Sequence, residues 1–260
     1  MVTRRAVLAA AAGTALVAGC SDGSSGSAAA KTPSTTAPTT TATASSPTPT
    51  ASSTSTQSRV TEAVEVRHGS RAKPFVALTF HGAGDPALAK RLLRTLESHG
   101  VKGTVMAVGT WLQAEPAMAR RITSAGHELG NHTLHHYAMR TLGSSTTYDE
   151  IRGCARVLRH LTGSEGTWFR ASGTQATTST IRRQAARAGY TRCISYDVDG
   201  LDWQDPSAGT VTSAVLDASR KGSIISLHLG HPVTIAALPD VLDGLASRKL
   251  DPVTLSELLA

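Results

Sequence analysis

The residues of this sequence that could do chemistry are spaced histidines, a few aspartates and one arginine. GNHTLHH sets His132 and His136 four apart. One helical turn or a tight loop would aim both imidazoles at a single metal ion, with His135 between them pointing away. IISLHLG presents His228 after a run of apolar strand, where an imidazole held near neutrality could act as a general acid. WFRASG places Arg170 directly after a predicted strand, suited to orienting a carboxylate or an anionic intermediate. YDVDGLDW offers Asp199, Asp202 and Trp203 at a further strand end. A carboxylate there could hold a catalytic imidazole, and an indole could line a sugar groove. Each feature alone has a plainer explanation: a surface histidine pair, a salt-bridged arginine, an Asp-Gly turn, a satisfied core histidine.

The elements that must position these residues alternate. From Lys73 onward, the β-branched and apolar run FVALTF is followed by the amphipathic ALAKRLLRTLESHG. Further strand candidates are GTVMAV, HELGNH, TWFRAS, TRCISYDVD, GSIISLHL and a final PVTL. Helical patterns fall near 115–125, 147–161, 178–188, 208–219 and 236–247. Strands that alternate with helices predict a parallel α/β sheet, and the domain is short for eight βα units. The expected fold class is α/β, a distorted (β/α) barrel of about seven parallel strands. His81, His132, Arg170, Asp199 and His228 all fall at or just after the C-terminal end of a predicted strand, where parallel α/β folds gather their chemistry.

Taken in order, TF near 79, HTLHH at 132, FR at 169, DGLDW at 199 and SLH at 226 resemble the five motifs of the NodB-type polysaccharide deacetylases, the family 4 carbohydrate esterases. VTLSELL is similar to the family's ending, and the resemblance covers residues 74–260. It implies the NodB homology fold and a divalent metal, usually zinc. The implied reaction is hydrolysis of a carbon–nitrogen bond that is not a peptide bond. It releases acetyl groups, above all the N-acetyl of N-acetylglucosamine units, from cell-wall or chitin-like polysaccharide. Carried onto this chain, the resemblance implies that His132 and His136 ligate the metal and that Arg170 positions the base region. Asp202 would tune His228, which protonates the departing amine, and Trp203 would border the substrate groove.

The chain departs from the family in its first motif. Relatives carry two adjacent aspartates after TF, one a base and one a metal ligand, whereas this chain reads TFHGAGD with His81 and Gly82 there. The third motif is RASG, without the usual prolines after the arginine. His81 could complete a three-histidine zinc site or act as base, Asp85 or Asp199 could serve as ligand or base, or the domain could be a catalytically silent glycan binder.

The chain around this domain has a different character. Of 260 residues, 40% are hydrophobic, 4% aromatic and 17% charged, with a net charge of +7, so one sizeable core is expected. Residues 1–19 place Arg4 and Arg5 ahead of a short apolar run, as an export signal does. LVAGC resembles a lipobox, so Cys20 is expected to become the acylated mature N-terminus. Residues 20–58, rich in Ser, Thr and Pro, read as a disordered stalk, with the deacetylase-like domain over 73–260. The expected location is the outer face of the cell membrane, held by the lipid. The expected partner is an acetylated polysaccharide or peptidoglycan glycan strand. No basic run with interleaved aromatics suggests nucleic acid. Spacing alone leaves a Cys154–Cys193 disulfide open.

Overall fold

The computed structural model of the chain describes residues 61–260. The expected export signal, the expected acylation site Cys20 and the expected stalk lie outside the described residues. Among those described, no helix is long and apolar enough to cross a membrane.

The centre of the fold is β2 (Phe75–Gly82), flanked by the parallel strands β3 (Thr104–Ala107) and β7 (Ile224–His228). Beyond them lie β4 (Glu128–Asn131) next to β3 and β6 (Val198–Asp199) next to β7. β8 (Asp251–Val253) pairs with the start of β2. β1 (Val64–Val66) pairs in parallel with β5 (Arg192–Ile194), and Phe169 bridges Asn131 on one side to Cys193 on the other. The result is a distorted parallel barrel, as the sequence predicted.

Alternation along the strands divides the core. Val76, Leu78 and Phe80 of β2, Val105 and Ala107 of β3, and Ile225 and Leu227 of β7 face outward and pack under the helices. Those helices include α1 (Pro86–Ser98) and the helices Pro116–Ser124, Ala208–Ala218 and Pro232–Ser247. The opposite face fills the barrel. Its base is apolar, with Ala77, Met106, Trp168, Ile194 and Ile224 in one cluster. The β2–β7 register then pairs Ala77 with Ile224, Thr79 with Ser226, and His81 with His228. Moving toward the C-terminal strand ends, the interior therefore changes from apolar to hydroxyl to imidazole.

Three expectations need correction. The fold begins before Lys73, because β1 completes the β5 edge and Glu65 accepts hydrogen bonds from Thr177. TWFRAS is not a regular strand: only Phe169 pairs, because Gly166 (φ 75°) and Gly173 (φ 64°) turn the chain away on either side. TRCISYDVD is two short strands. Its break falls at Asp197, whose carboxylate accepts from the Ile224 N–H (2.9 Å) and from Arg71 (2.7 Å), and the chain passes from β1 to β7 as its pairing partner. Cys154 and Cys193 are both free and buried in separate clusters, and burial pushes each thiol up to about 12.

At the base of the barrel, buried His127 accepts a hydrogen bond at Nδ1 from Gly103 N–H (3.1 Å). Burial, then the charge of Lys102, holds this imidazole down from 6.5 to about 4. The unfolded chain binds a proton near 6.5 and the folded one only near 4. Stability from neutral His127 is thus full above 6.5 and is lost as pH falls toward 4. Thermal denaturation should show the Tm of the native protein falling more steeply over that window than the Tm of His127→Gln. Parallel curves would reject the assignment.

Candidate active site

The C-terminal strand ends bring His81, His132, His136 and His228 around one cavity of about 280 Å³, also lined by Ala83, Gly84, Val108, Gly230 and His231. One ligating nitrogen from each of His81, His132 and His136 lies within 4.8 Å of the others. His81 reaches this point because it follows Ala77 and Thr79 on the inward face of β2. His132 follows β4 and is fully buried. His136 arrives by a strained loop, with Thr133 at φ 71° and His136 at φ 63°. That loop is held by Thr133 N–H donating to Asn131 Oδ1 (2.9 Å) and by the Thr133–Ser172 hydroxyl pair (2.9 Å). Left-handed conformations at non-glycine residues cost about 1–3 kcal/mol each and persist only where the surroundings enforce them. Among the described residues five non-glycine positions have positive φ, and four of them lie in two loops: Thr133 and His136 in the one that carries the His132–His136 pair, Leu201 and Asp205 in the one that carries Asp202.

The hydrogen bonds fix the tautomers. His132 Nδ1–H donates to the Arg170 carbonyl (3.0 Å), leaving Nε2 as a lone pair toward the cavity. His81 Nδ1–H then donates to His132 Nε2 (2.9 Å), and His81 Nε2 accepts from Ser226 Oγ (3.0 Å). Burial is the largest cause holding His81, His132 and His136 below the usual imidazole range, followed by the charges of neighbouring histidines and, for the first two, of Arg170. All three are therefore neutral near pH 7, the form that ligates a metal. Neutral nitrogen donors converging on one point suit a zinc-class ion.

Arg170 is buried beneath this cluster as the floor of the site. Its guanidinium donates to Ile194 O (3.1 Å), Ser195 O (3.1 Å) and Thr79 Oγ1 (2.9 Å), lies 5.3 Å from the Tyr196 ring centroid, and brings Nη1 within 3.4 Å of His81 Nε2. Every hydrogen-bond partner is neutral, and burial lowers its proton affinity to about 10. On the opposite wall His228 Nδ1–H donates to Asp202 Oδ1 (2.8 Å), and Asp202 Oδ2 accepts from His228 N–H (2.7 Å) and Thr234 Oγ1. Asp202 is fully buried, and the His228 ring lies 4.4 Å from the His81 ring.

Some expected residues lie elsewhere. Asp85 does not fold back: it caps α1, accepting from Ala87 N–H (2.7 Å), with Pro86 opening the helix. Asp199 Oδ1 accepts from Leu201 N–H (3.0 Å), and among the described residues no carboxylate lines the cavity. Trp203 stands exposed on the turn Asp202–Gln204, outside the cavity lining. His135 does turn away, pairing with Glu150 (2.6 Å). Residues the motifs did not single out are Thr79, Ser226 and Tyr196 around Arg170 and His81, and His231 on the cavity wall. The alternation of β2 and β7 could have found the first two.

Residues 68–193 match the polysaccharide deacetylase family. A chitooligosaccharide deacetylase of Bradyrhizobium is 30% identical over 166 residues, 60% of this chain and 71% of that protein. A peptidoglycan-N-acetylglucosamine deacetylase of Listeria monocytogenes is 28% identical over 183 residues, 70% of this chain but 38% of the length of that protein. Among solved structures, a pseudoenzyme of carbohydrate esterase family 4 from Bacillus anthracis aligns at 26% identity with a TM-score of 0.71, covering 76% of this chain and 69% of that one. A mutant of that protein with restored enzymatic activity aligns at 27% with the same TM-score, covering 76% and 71%. With five motifs in order, a parallel barrel that gathers them at one end, and relatives of this kind, the chain belongs to the NodB-type polysaccharide deacetylases.

Proposed function

We propose that the protein is a metal-dependent deacetylase that hydrolyses N-acetyl groups from N-acetylglucosamine units of cell-wall or chitin-like glycan. The observation that carries this reading is the pair of His228 with fully buried Asp202, facing three neutral imidazoles across one cavity. A mere binding surface has little use for an imidazole whose tautomer is fixed by a fully buried carboxylate. His81, His132 and His136 would hold the ion. When bound, it supplies Lewis acidity toward the acetyl carbonyl and activates water. The chain's own residues do the rest. Asp202 keeps the His228 proton on Nδ1, which directs Nε2 to the cavity as the atom that passes a proton to the departing amine. Arg170 supports the backbone of the β5–β6 connection and bears on His81 from below. Incubating the purified protein with N-acetylated chito-oligosaccharide or peptidoglycan should release acetate, and release should stop on chelation. A metal-loaded protein that releases none from either polymer would reject the reading.

A second reading, a silent glycan-binding domain, draws on the absence, among the described residues, of a carboxylate in the cavity lining and on the His81–His132 hydrogen bond, which occupies a ligand lone pair. It predicts glycan binding with no metal requirement.

The N-terminal segments support an exported, lipid-anchored protein, with residues 1–19 as signal, Cys20 as acylation site and 20–58 as stalk. Cys20→Ala should release the protein from membranes or block its processing, as judged by fractionation. Unchanged cleavage and unchanged membrane association would reject the anchor.

A further inference from the structure

The wall beside His228 carries a second pair built on the same plan. Asp202 holds His228 and, one turn later on the same segment, Asp205 holds His231, with His231 Nδ1 to Asp205 Oδ1 at 2.8 Å. The two aspartates are three residues apart, and so are the two histidines. One short turn, Asp202–Gln204, therefore serves both imidazoles. It is bracketed by Leu201 (φ 54°) and Asp205 (φ 50°), both left-handed. His231 lines the cavity, its ring 5.5 Å from the His228 ring. The environments differ in the way that separates two roles. Asp202 is fully buried, whereas the Asp205 side chain is 65% exposed and that of His231 29% exposed. A pair at the solvent rim is poorly placed to deliver protons into the reacting centre, but well placed to meet the part of a ligand that emerges from it. With Nδ1–H donated to Asp205, His231 Nε2 is an acceptor, and it makes no hydrogen bond among the described residues. A neutral acceptor at a rim matches a neutral donor, and the hydroxyls of a sugar ring are such donors.

Resting on the deacetylase reading, we propose that His231, oriented by Asp205, is a specificity-determining residue that accepts a hydrogen bond from a hydroxyl of the glycan at the mouth of the cavity. Asp205 positions it by selecting the tautomer. A purely structural role is a weak alternative, since exposed pairs of this kind add little to stability.

The test uses the full chain, with N-acetylated chitotetraose as probe. His231→Ala should raise KM about 3- to 10-fold with kcat little changed, the pattern of a lost hydrogen bond made equally in ground and transition states. Asp205→Asn should act in the same direction, and His231→Gln, which keeps an acceptor, should recover part of the loss. Metal content and Tm should match the native protein throughout. An unchanged KM in His231→Ala overturns the proposal, as does a fall in kcat at constant KM. If the native protein releases no acetate, the deacetylase reading fails. Calorimetry with the same oligosaccharide then decides this proposal separately: weaker binding by His231→Ala upholds it, and equal binding overturns it.

Discussion

His228→Ala is expected to lower kcat for acetate release by about 10²- to 10⁴-fold, the usual contribution of a positioned general acid or base. Metal content should stay at the native level. The expectation follows from His228's place in the site. Its Nδ1–H is committed to Asp202 and its backbone N–H to the same carboxylate, so the ring cannot turn to present Nδ1 to the cavity. Only Nε2 faces the reacting centre. Removing it leaves the three-imidazole cluster intact, because none of that cluster's hydrogen bonds passes through His228. Asp202→Asn should also lower kcat, since an amide can present N–H to Nδ1 and favour the opposite tautomer. The Thr234 hydroxyl and the His228 N–H would still hold the side chain in place. Acetate release by His228→Ala at the native rate, with metal bound, would remove His228 from the mechanism.

The sequence made the histidine-bearing end of the barrel legible because strand-end histidines and aspartates are unusual where an apolar run has just finished. His81, His132 and His228 were found on that ground. What it could not convey was direction. Asp85 is close to His81 in sequence, but the proline after it starts a helix, and the carboxylate is taken up as that helix's cap. Arg170 was expected to orient an anion. The barrel interior instead makes it a floor hydrogen-bonded to carbonyls and a hydroxyl, and Asp199, in register with Ser226, acts on it through charge and not through a hydrogen bond. Composition alone puts the domain start too late, because the three residues of β1 acquire meaning only through pairing with β5, more than a hundred residues away. His231 was visible as a residue but not as a site. Its partner Asp205 lies in a turn whose left-handed backbone the composition of LDWQD does not signal.

Metal content should fall from about one ion per chain to near zero in His132→Ala, His136→Ala, because imidazoles make up the whole donor set at the cluster. His81→Ala should also lose most of its metal, and here the structure specifies the demand on the third ligand. To offer Nδ1, His81 must move its proton to Nε2, where Ser226 Oγ is an acceptor at 3.0 Å but Arg170 Nη1 stands 3.4 Å away as an opposing donor. Aspartate at this position needs no tautomer change, and it gives the buried Arg170 an anionic neighbour. His81→Asp should therefore keep its metal and release acetate faster than the native protein. Adding Gly82→Asp to restore both family aspartates should not help further. Residue 82 alternates to the outward face of β2, where a Cβ would lie 2.7 Å from Val105 Cγ1 and 3.0 Å from the Ala107 Cα. Such overpacking costs about 1–3 kcal/mol and aims the new carboxylate at the helical layer, so the double variant should melt lower than His81→Asp. Elemental analysis, acetate release and thermal melts of His81→Ala, His81→Asp and His81→Asp, Gly82→Asp measure each step. Full metal occupancy in His81→Ala would exclude His81 as a ligand. A double variant as stable as the single one and more active would show that the end of β2 can turn residue 82 toward the cavity.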